Sequence, residues 1–105
     1  MEKKLMPPRA PKPRTPAEIR KERIIERICA IPKGRVRTYG DIDPAAPRLV
    51  GRILATTHEN LPWYRVVRAD GSAPRGEGQL ERLRREGVPI RGDRVDLSQA
   101  RVRGY

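Results

Sequence analysis

Cysteine and histidine are almost absent from this sequence: its 105 residues contain one of each, Cys29 and His58. A single cysteine excludes an internal disulfide and any cysteine-cluster metal site, and it fits a reducing compartment. A lone histidine leaves zinc without a ligand set. No stretch approaches the ~20 consecutive apolar residues of a membrane span. The opening Met1-Glu2-Lys3-Lys4 leads into no secretory apolar segment. Acidic residues are also scarce, with 13 Asp and Glu against 24 Lys and Arg, a formal charge of +11. That balance predicts attraction to a polyanion, nucleic acid ahead of a membrane surface. The expectation is a soluble, cytoplasmic, nucleoid-associated monomer with no cofactor, no metal and no membrane partner. A chain this short has room for one domain and a modest core.

Residues 1–16, MEKKLMPPRAPKPRTP, hold five basic residues and five prolines against one acid, Glu2. Such a segment builds neither a packed helix nor a central strand, so it reads as a disordered basic arm preceding a domain over residues 17–105. It serves either as a solvated tail or as a non-specific grip on phosphates.

Thr15 and Pro16 are an N-cap and a first helical residue, with Glu18 at the positive end of the dipole. Ile24, Ile25, Ile28 and Cys29 recur at helical spacing, which predicts an amphipathic helix ending before Pro32. A short strand is expected at Arg35–Arg37, then a short helix capped by Thr38. A further helix is expected to open at Asp43-Pro44 and run to about Ala55, with Arg48 and Arg52 sharing a face. Two short helices joined by a tight turn outline a helix-turn-helix. Arg65–Arg68 reads as a strand, Ala69–Ser72 as a hairpin turn and Ala73–Arg75 as its return limb. PRGEGQ reads as a loop before a helix over Gln79–Glu86 closed by Gly87, and VPIRG and RVDL as two more extended pieces. The sum is a mainly α domain with small β elements, a winged helix-turn-helix that binds DNA.

The segments IPKGRVRTYGDI, RLVGRIL, PWYRVVRADG and LRREGVPIRGDRVDL resemble, in that order, the C-terminal DNA-binding domain of the O6-alkylguanine-DNA alkyltransferases. They resemble more closely the non-catalytic alkyltransferase-like proteins, over roughly residues 19–97. The transferases carry a Pro-Cys-His-Arg-Val motif whose cysteine accepts the alkyl group. Trp63 stands in place of that cysteine and Tyr64 in place of the histidine. An indole has no thiolate-like nucleophile, so alkyl transfer at this position is excluded.

The resemblance implies that Tyr39 sits beside the DNA backbone and rotates the phosphodiester. Arg48 would enter the base stack as a finger, and Gly51 would let the helix approach the minor groove, with Arg52 also on the DNA-binding face. Trp63, Tyr64, Arg65 and Val67 would form the lesion pocket. The transferase relay's glutamate falls near Leu80 or Glu81 and its asparagine near Thr57, which leaves the relay incomplete. The implied partners are double-stranded DNA containing O6-alkylguanine and nucleotide excision repair proteins, the lesion being flipped, held without reaction and flagged.

Read without the family, each of these residues has a plainer role. Trp63 and Tyr39 are packing aromatics, and Arg48 and Arg52 are a solvated helix face. Arg82–Arg85 is a solvated helix face or a second phosphate patch, Cys29 a small hydrophobe, and His58 a loop residue. Ser72–Gln79 is a surface loop or a lid. Two rival functions follow. One is a winged-helix transcriptional regulator or non-specific DNA-binding protein. The other is a transferase acting through Cys29.

Overall fold

The computed structural model describes residues 14–103; the first thirteen residues of the basic arm expected over 1–16 lie outside them. Helix α1 runs from Pro16 to Cys29. The Thr15 hydroxyl accepts the Glu18 amide at 3.1 Å, so the expected cap is made. Ile24 and Ile28 are buried. Cys29, expected to extend their stripe, is instead exposed. Its place on the helix turns it away from the core that the two isoleucines enter.

Strand β1 (Arg37–Thr38) leads into α2 (Tyr39–Ile42). Thr38 caps α2 through a reciprocal box: its hydroxyl accepts the Asp41 amide and the Asp41 carboxylate accepts the Thr38 amide, both at 3.1 Å. Helix α3 covers Pro47–Thr56, three residues later than the expected start at Pro44. Pro44 and Pro47 cannot both lie near the start of one helix. The second would lack the N–H that begins the ladder, and a proline disfavours helical geometry in the residue before it. Ala46 accordingly adopts φ −149°, ψ 66°.

Asp43 therefore caps nothing in α3. Its carboxylate receives Nε and Nη2 of Arg20 at 2.7 and 2.8 Å, tying α1 to the turn between α2 and α3. The Arg20 hydrogen bond, working against burial, holds the Asp43 carboxyl below the usual range.

A 3-10 turn (Trp63–Arg65) feeds strand β2 (Val66–Val67). The expected hairpin with residues 73–75 is not formed. Strand β2 instead pairs in parallel with β1, Arg37 opposite Val66 and Thr38 opposite Val67. The turn after β2 sends Ser72 to a bridge with Arg94. Gly71 makes this possible. It sits at φ +83°, and a Cβ there would lie 2.4 Å from the Val95 carbonyl oxygen, so both dihedral and space demand glycine.

Helix α4 spans Glu77–Arg85, so Glu77 and Gly78, expected in the loop, are helical. Strands β3 (Ile90–Arg91) and β4 (Arg94–Val95) form the antiparallel hairpin. Beyond it α5 (Leu97–Ala100), capped by Asp96, replaces the extended end expected for RVDL.

The core has two parts. Ile24, Ile28, Ile42, Val50, Ile53 and Val66 pack α1, α2 and α3 together. Val36, Val67, Leu80, Leu83, Val95 and Ala100 pack α4 against the hairpin and α5. Adjacent residues of a strand point to opposite faces, so β2 sends one valine into each cluster and joins the two halves. The architecture is mainly helical with small sheets. Helices α2 and α3 make the helix-turn-helix, and the wing comes from β3–β4 rather than from residues 65–75.

Candidate nucleic-acid interface

Tyr39 is the first residue of α2, placed directly after the Thr38–Asp41 capping box that fixes the start of that helix. Asp41 is itself held by the paired nitrogens of Arg101, Nε to Oδ2 at 2.9 Å and Nη2 to Oδ1 at 2.5 Å. Burial raises the Tyr39 phenol above its ordinary value, while the nearby charges of Arg75 and Arg68 oppose the rise. The ring is therefore neutral at physiological pH. With Arg48 and Gly51 of α3, and with Pro47, Arg68 and Pro74, it lines a recess of about 290 Å³. Three of the four residues expected at the DNA are thus brought together. Arg52 is not among them, because it lines a separate recess between α3 and the start of α1, beside Lys21 and Leu49.

Trp63 lies in the 3-10 turn, half-buried, and meets Tyr64 edge to face with ring centroids 5.7 Å apart. The Arg75 guanidinium lies 5.2 Å from the indole centroid and that of Arg82 5.5 Å. Arg75 is thus common to both aromatic groups, stacked on Trp63 and close enough to Tyr39 for its charge to be felt there.

Arg65 carries none of the site's outward charge. Its Nε and Nη2 bind Glu86 Oε1 and Oε2 at 2.9 and 2.6 Å, and its Nη1 donates to the Ile31 carbonyl at 2.9 Å. Glu86 also accepts the Tyr64 hydroxyl at 3.2 Å and the Gly34 amide at 3.3 Å. One ion pair therefore fastens the Trp63 turn to the ends of α1 and α4, and it holds Tyr64 in place. The Arg65 hydrogen bond, against the opposing effect of burial, keeps the Glu86 carboxyl below the usual range. Val67 is wholly buried in the second core cluster, so it supports the site from beneath rather than lining it.

Neither Leu80 nor Glu81 hydrogen-bonds to Tyr64; the carboxylate that accepts from its hydroxyl is Glu86. Leu80 is core and Glu81 pairs with Arg85. Thr57 closes its own turn by accepting the Glu59 amide. A signal for Glu86 was present in the sequence. It precedes the helix-stopping Gly87, and an acidic residue at the negative end of a helix is unfavourable unless a cation answers it.

Sequence reasoning did not single out Arg68 or Arg75, and it offered Arg82 only within a solvated face or second phosphate patch, not beside Trp63. Among the described residues, Arg20, Arg65, Arg84, Arg85 and Arg101 each pair with a carboxylate. Arg48, Arg68, Arg75 and Arg82 have no such pair. Among the described residues these four cations have no carboxylate partner and are open to an external anion. Together with flat aromatic faces, they suit a nucleic-acid backbone and an unstacked base.

A helix-turn-helix whose second helix borders such a site defines a DNA-binding domain. Residues 20–88 match the profile of the 6-O-methylguanine DNA methyltransferase, DNA binding domain. The chain belongs to this family, among its alkyltransferase-like members. It is 37% identical over 92 residues to the DNA base-flipping protein of Escherichia coli K12, covering 76% of this chain and 71% of that protein. It is 35% identical over 81 residues to Alkyltransferase-like protein 1 of Schizosaccharomyces pombe, covering 65% of this chain and 75% of that one. A further relative is much longer, and the chain spans 29% of its length. The crystal structure of S. pombe Atl1 in complex with damaged DNA containing O6-carboxymethylguanine superposes with a TM-score of 0.73 at 26% identity, covering 82% of this chain and 96% of that one.

Proposed function

We propose that the protein binds duplex DNA, turns an O6-alkylguanine out of the stack and holds it at Trp63 without removing the alkyl group, so that nucleotide excision repair can act on it. The observation that carries this reading is the recess that Tyr39, Arg48 and Gly51 line together at the start of α2 and along α3; by the family resemblance, Trp63, with two guanidiniums over its indole, takes the place of the transferases' nucleophile. The names of the relatives, a base-flipping protein and an alkyltransferase-like protein bound to damaged DNA, support it.

In this reading the excess of positive charge along the backbone-facing surface grips phosphates and supplies affinity, while the aromatic site supplies discrimination. Arg48, exposed and unpaired, enters the gap left by the flipped nucleotide as the neutral Tyr39 ring presses on its phosphodiester. O6-alkylation weakens pairing with cytosine, which lowers the few kcal/mol that flipping requires. A base reaching Trp63 displaces a cation–π contact of about 0.5–1 kcal/mol in exchange for stacking of about 1–3 kcal/mol, so the exchange is favourable. No thiol is present in the Trp63 turn, and Cys29 lies exposed at the end of α1. The protein acts as a cytoplasmic monomer.

The direct test titrates two duplexes differing only in one O6-methylguanine, at near-physiological salt, and weighs the intact protein afterwards. The expected result is tighter binding of the lesion duplex with unchanged protein mass. Equal binding would favour a regulator or a charge-driven binder, and a methyl adduct would restore an enzyme.

Gly51→Ala separates fold from function. A Cβ there would lie 3.7 Å from Tyr39 Cε1, an ordinary contact, and alanine is the better helix former by up to about 1 kcal/mol. The variant should melt slightly higher yet bind duplex DNA severalfold more weakly, because the helix can no longer approach as closely. Undiminished duplex affinity would remove this face of α3 from the interface.

A further inference from the structure

We propose that Arg82 makes the Trp63 site selective for O6 adducts that carry negative charge, an inference that rests on the lesion-holding function above and names its substrate class. The Arg82 guanidinium lies 5.5 Å from the Trp63 centroid and 5.4 Å from that of Tyr64, so it covers both rings of the aromatic pair.

Its own helix offers it no acid. Glu77 is taken by Arg84 and Glu81 by Arg85. Glu86, which follows the helix, has both oxygens bound by Arg65, Tyr64 and Gly34. Arg75 lies over the same indole and is likewise unpaired among the described residues. Two like charges therefore share one ring system with no counter-ion from the protein.

An incoming carboxylate, ionised at neutral pH, relieves that repulsion and accepts the guanidinium N–H groups in a paired geometry that a neutral alkyl group cannot reproduce. A base that takes the place of Arg75 on Trp63 would carry its O6 substituent into reach of Arg82. The site should thus favour a carboxymethyl group over an uncharged group of the same size.

Backbone phosphates offer anionic oxygens too, and the experiment separates the two sources. Four duplexes of one sequence carry guanine, O6-methylguanine, O6-carboxymethylguanine or its neutral amide, O6-carbamoylmethylguanine, and are titrated at physiological salt. Phosphate contacts are common to all four, so the acid-to-amide ratio reports only the charge on the adduct. Wild-type protein should bind the acid about fivefold or more tightly than the amide. Arg82→Gln should bring the ratio to about one. Arg84→Gln, which removes an equal charge from the same helix, should leave the ratio as in wild type. A wild-type ratio near one alongside an intact O6-methylguanine preference would overturn this inference alone. Persistence of the ratio in Arg82→Gln would overturn the assignment to Arg82. Loss of every lesion preference in wild type would overturn the underlying function and this inference with it.

Discussion

Glu86→Ala is expected to lower the stability of the domain by about 3 kcal/mol, near the lower end for breaking a buried ion pair because a little solvent reaches this one. The two side chains are 15% and 10% exposed. Arg65 would keep only its bond to the Ile31 carbonyl, leaving a largely dehydrated guanidinium without its counter-charge. Tyr64 and Gly34 would lose acceptors at the same time. At roughly 4–8 °C per kcal/mol for a domain of this size, the melting temperature should fall by about 12–24 °C, measured by circular dichroism. A loss below about 1 kcal/mol would mean that water already screens the pair.

The same carboxylate predicts a dependence on pH. Its folded value is depressed, so its contribution is present in full above the unfolded value of about 4.3. It is lost as pH falls through the lower, folded value. Asp41 and Asp43 are depressed in the same direction. Asp70 and Asp96 are depressed as well. Wild-type stability should therefore decline below about pH 4.3, and the decline should be shallower in Glu86→Ala, which has lost one of these groups.

Arg48→Ala is expected to abolish most of the preference for an O6-methylguanine duplex, about tenfold or more in relative affinity. Its folded stability should change by less than about 0.5 kcal/mol. Arg48 is exposed and unpaired, and alanine is at least as good a helix former. Any loss of binding is then a property of the interface. Two roles for the guanidinium give different results. A finger filling the gap in the stack acts only where a nucleotide leaves it, so lesion binding falls more than guanine binding. Fluorescence from a base analogue beside the lesion should also drop. A phosphate contact weakens both duplexes alike and lowers the salt dependence by about one unit of slope. Unchanged preference would dismiss the finger.

Local chemistry made much of the fold legible. Thr15-Pro16 and Thr38 cap the helices they were expected to cap, because a hydroxyl three residues before a free amide needs no tertiary context. The start of α3 was misplaced because Asp43-Pro44 has the form of a helix opening, and the second proline, three residues on, outweighs it. The short strand at Val66–Val67 is legible in the sequence, but its partner is not. An Asp-Gly turn suggests a hairpin from sequence alone, whereas the pairing with Arg37–Thr38 joins residues far apart in the chain.

The site divides in the same way. The alkyltransferase-like pattern is readable from ordered motifs, and so is the set of residues, Tyr39, Arg48 and Gly51, that the fold brings to one recess. The sequence also determined the excess of positive charge, since charge is a sum over residues and needs no geometry. Which cations remain available is a difference between neighbours, and neighbours are set by packing. Only the tertiary structure decided that Glu86 answers Arg65, that Arg52 lines a different recess from Arg48, and that Arg75 and Arg82 rest on Trp63 with no carboxylate paired to either. Two-thirds of the way along a short chain, a carboxylate and a guanidinium twenty-one residues apart become partners because a helix and a 3-10 turn dock on a shared core. No local rule of sequence carries that information.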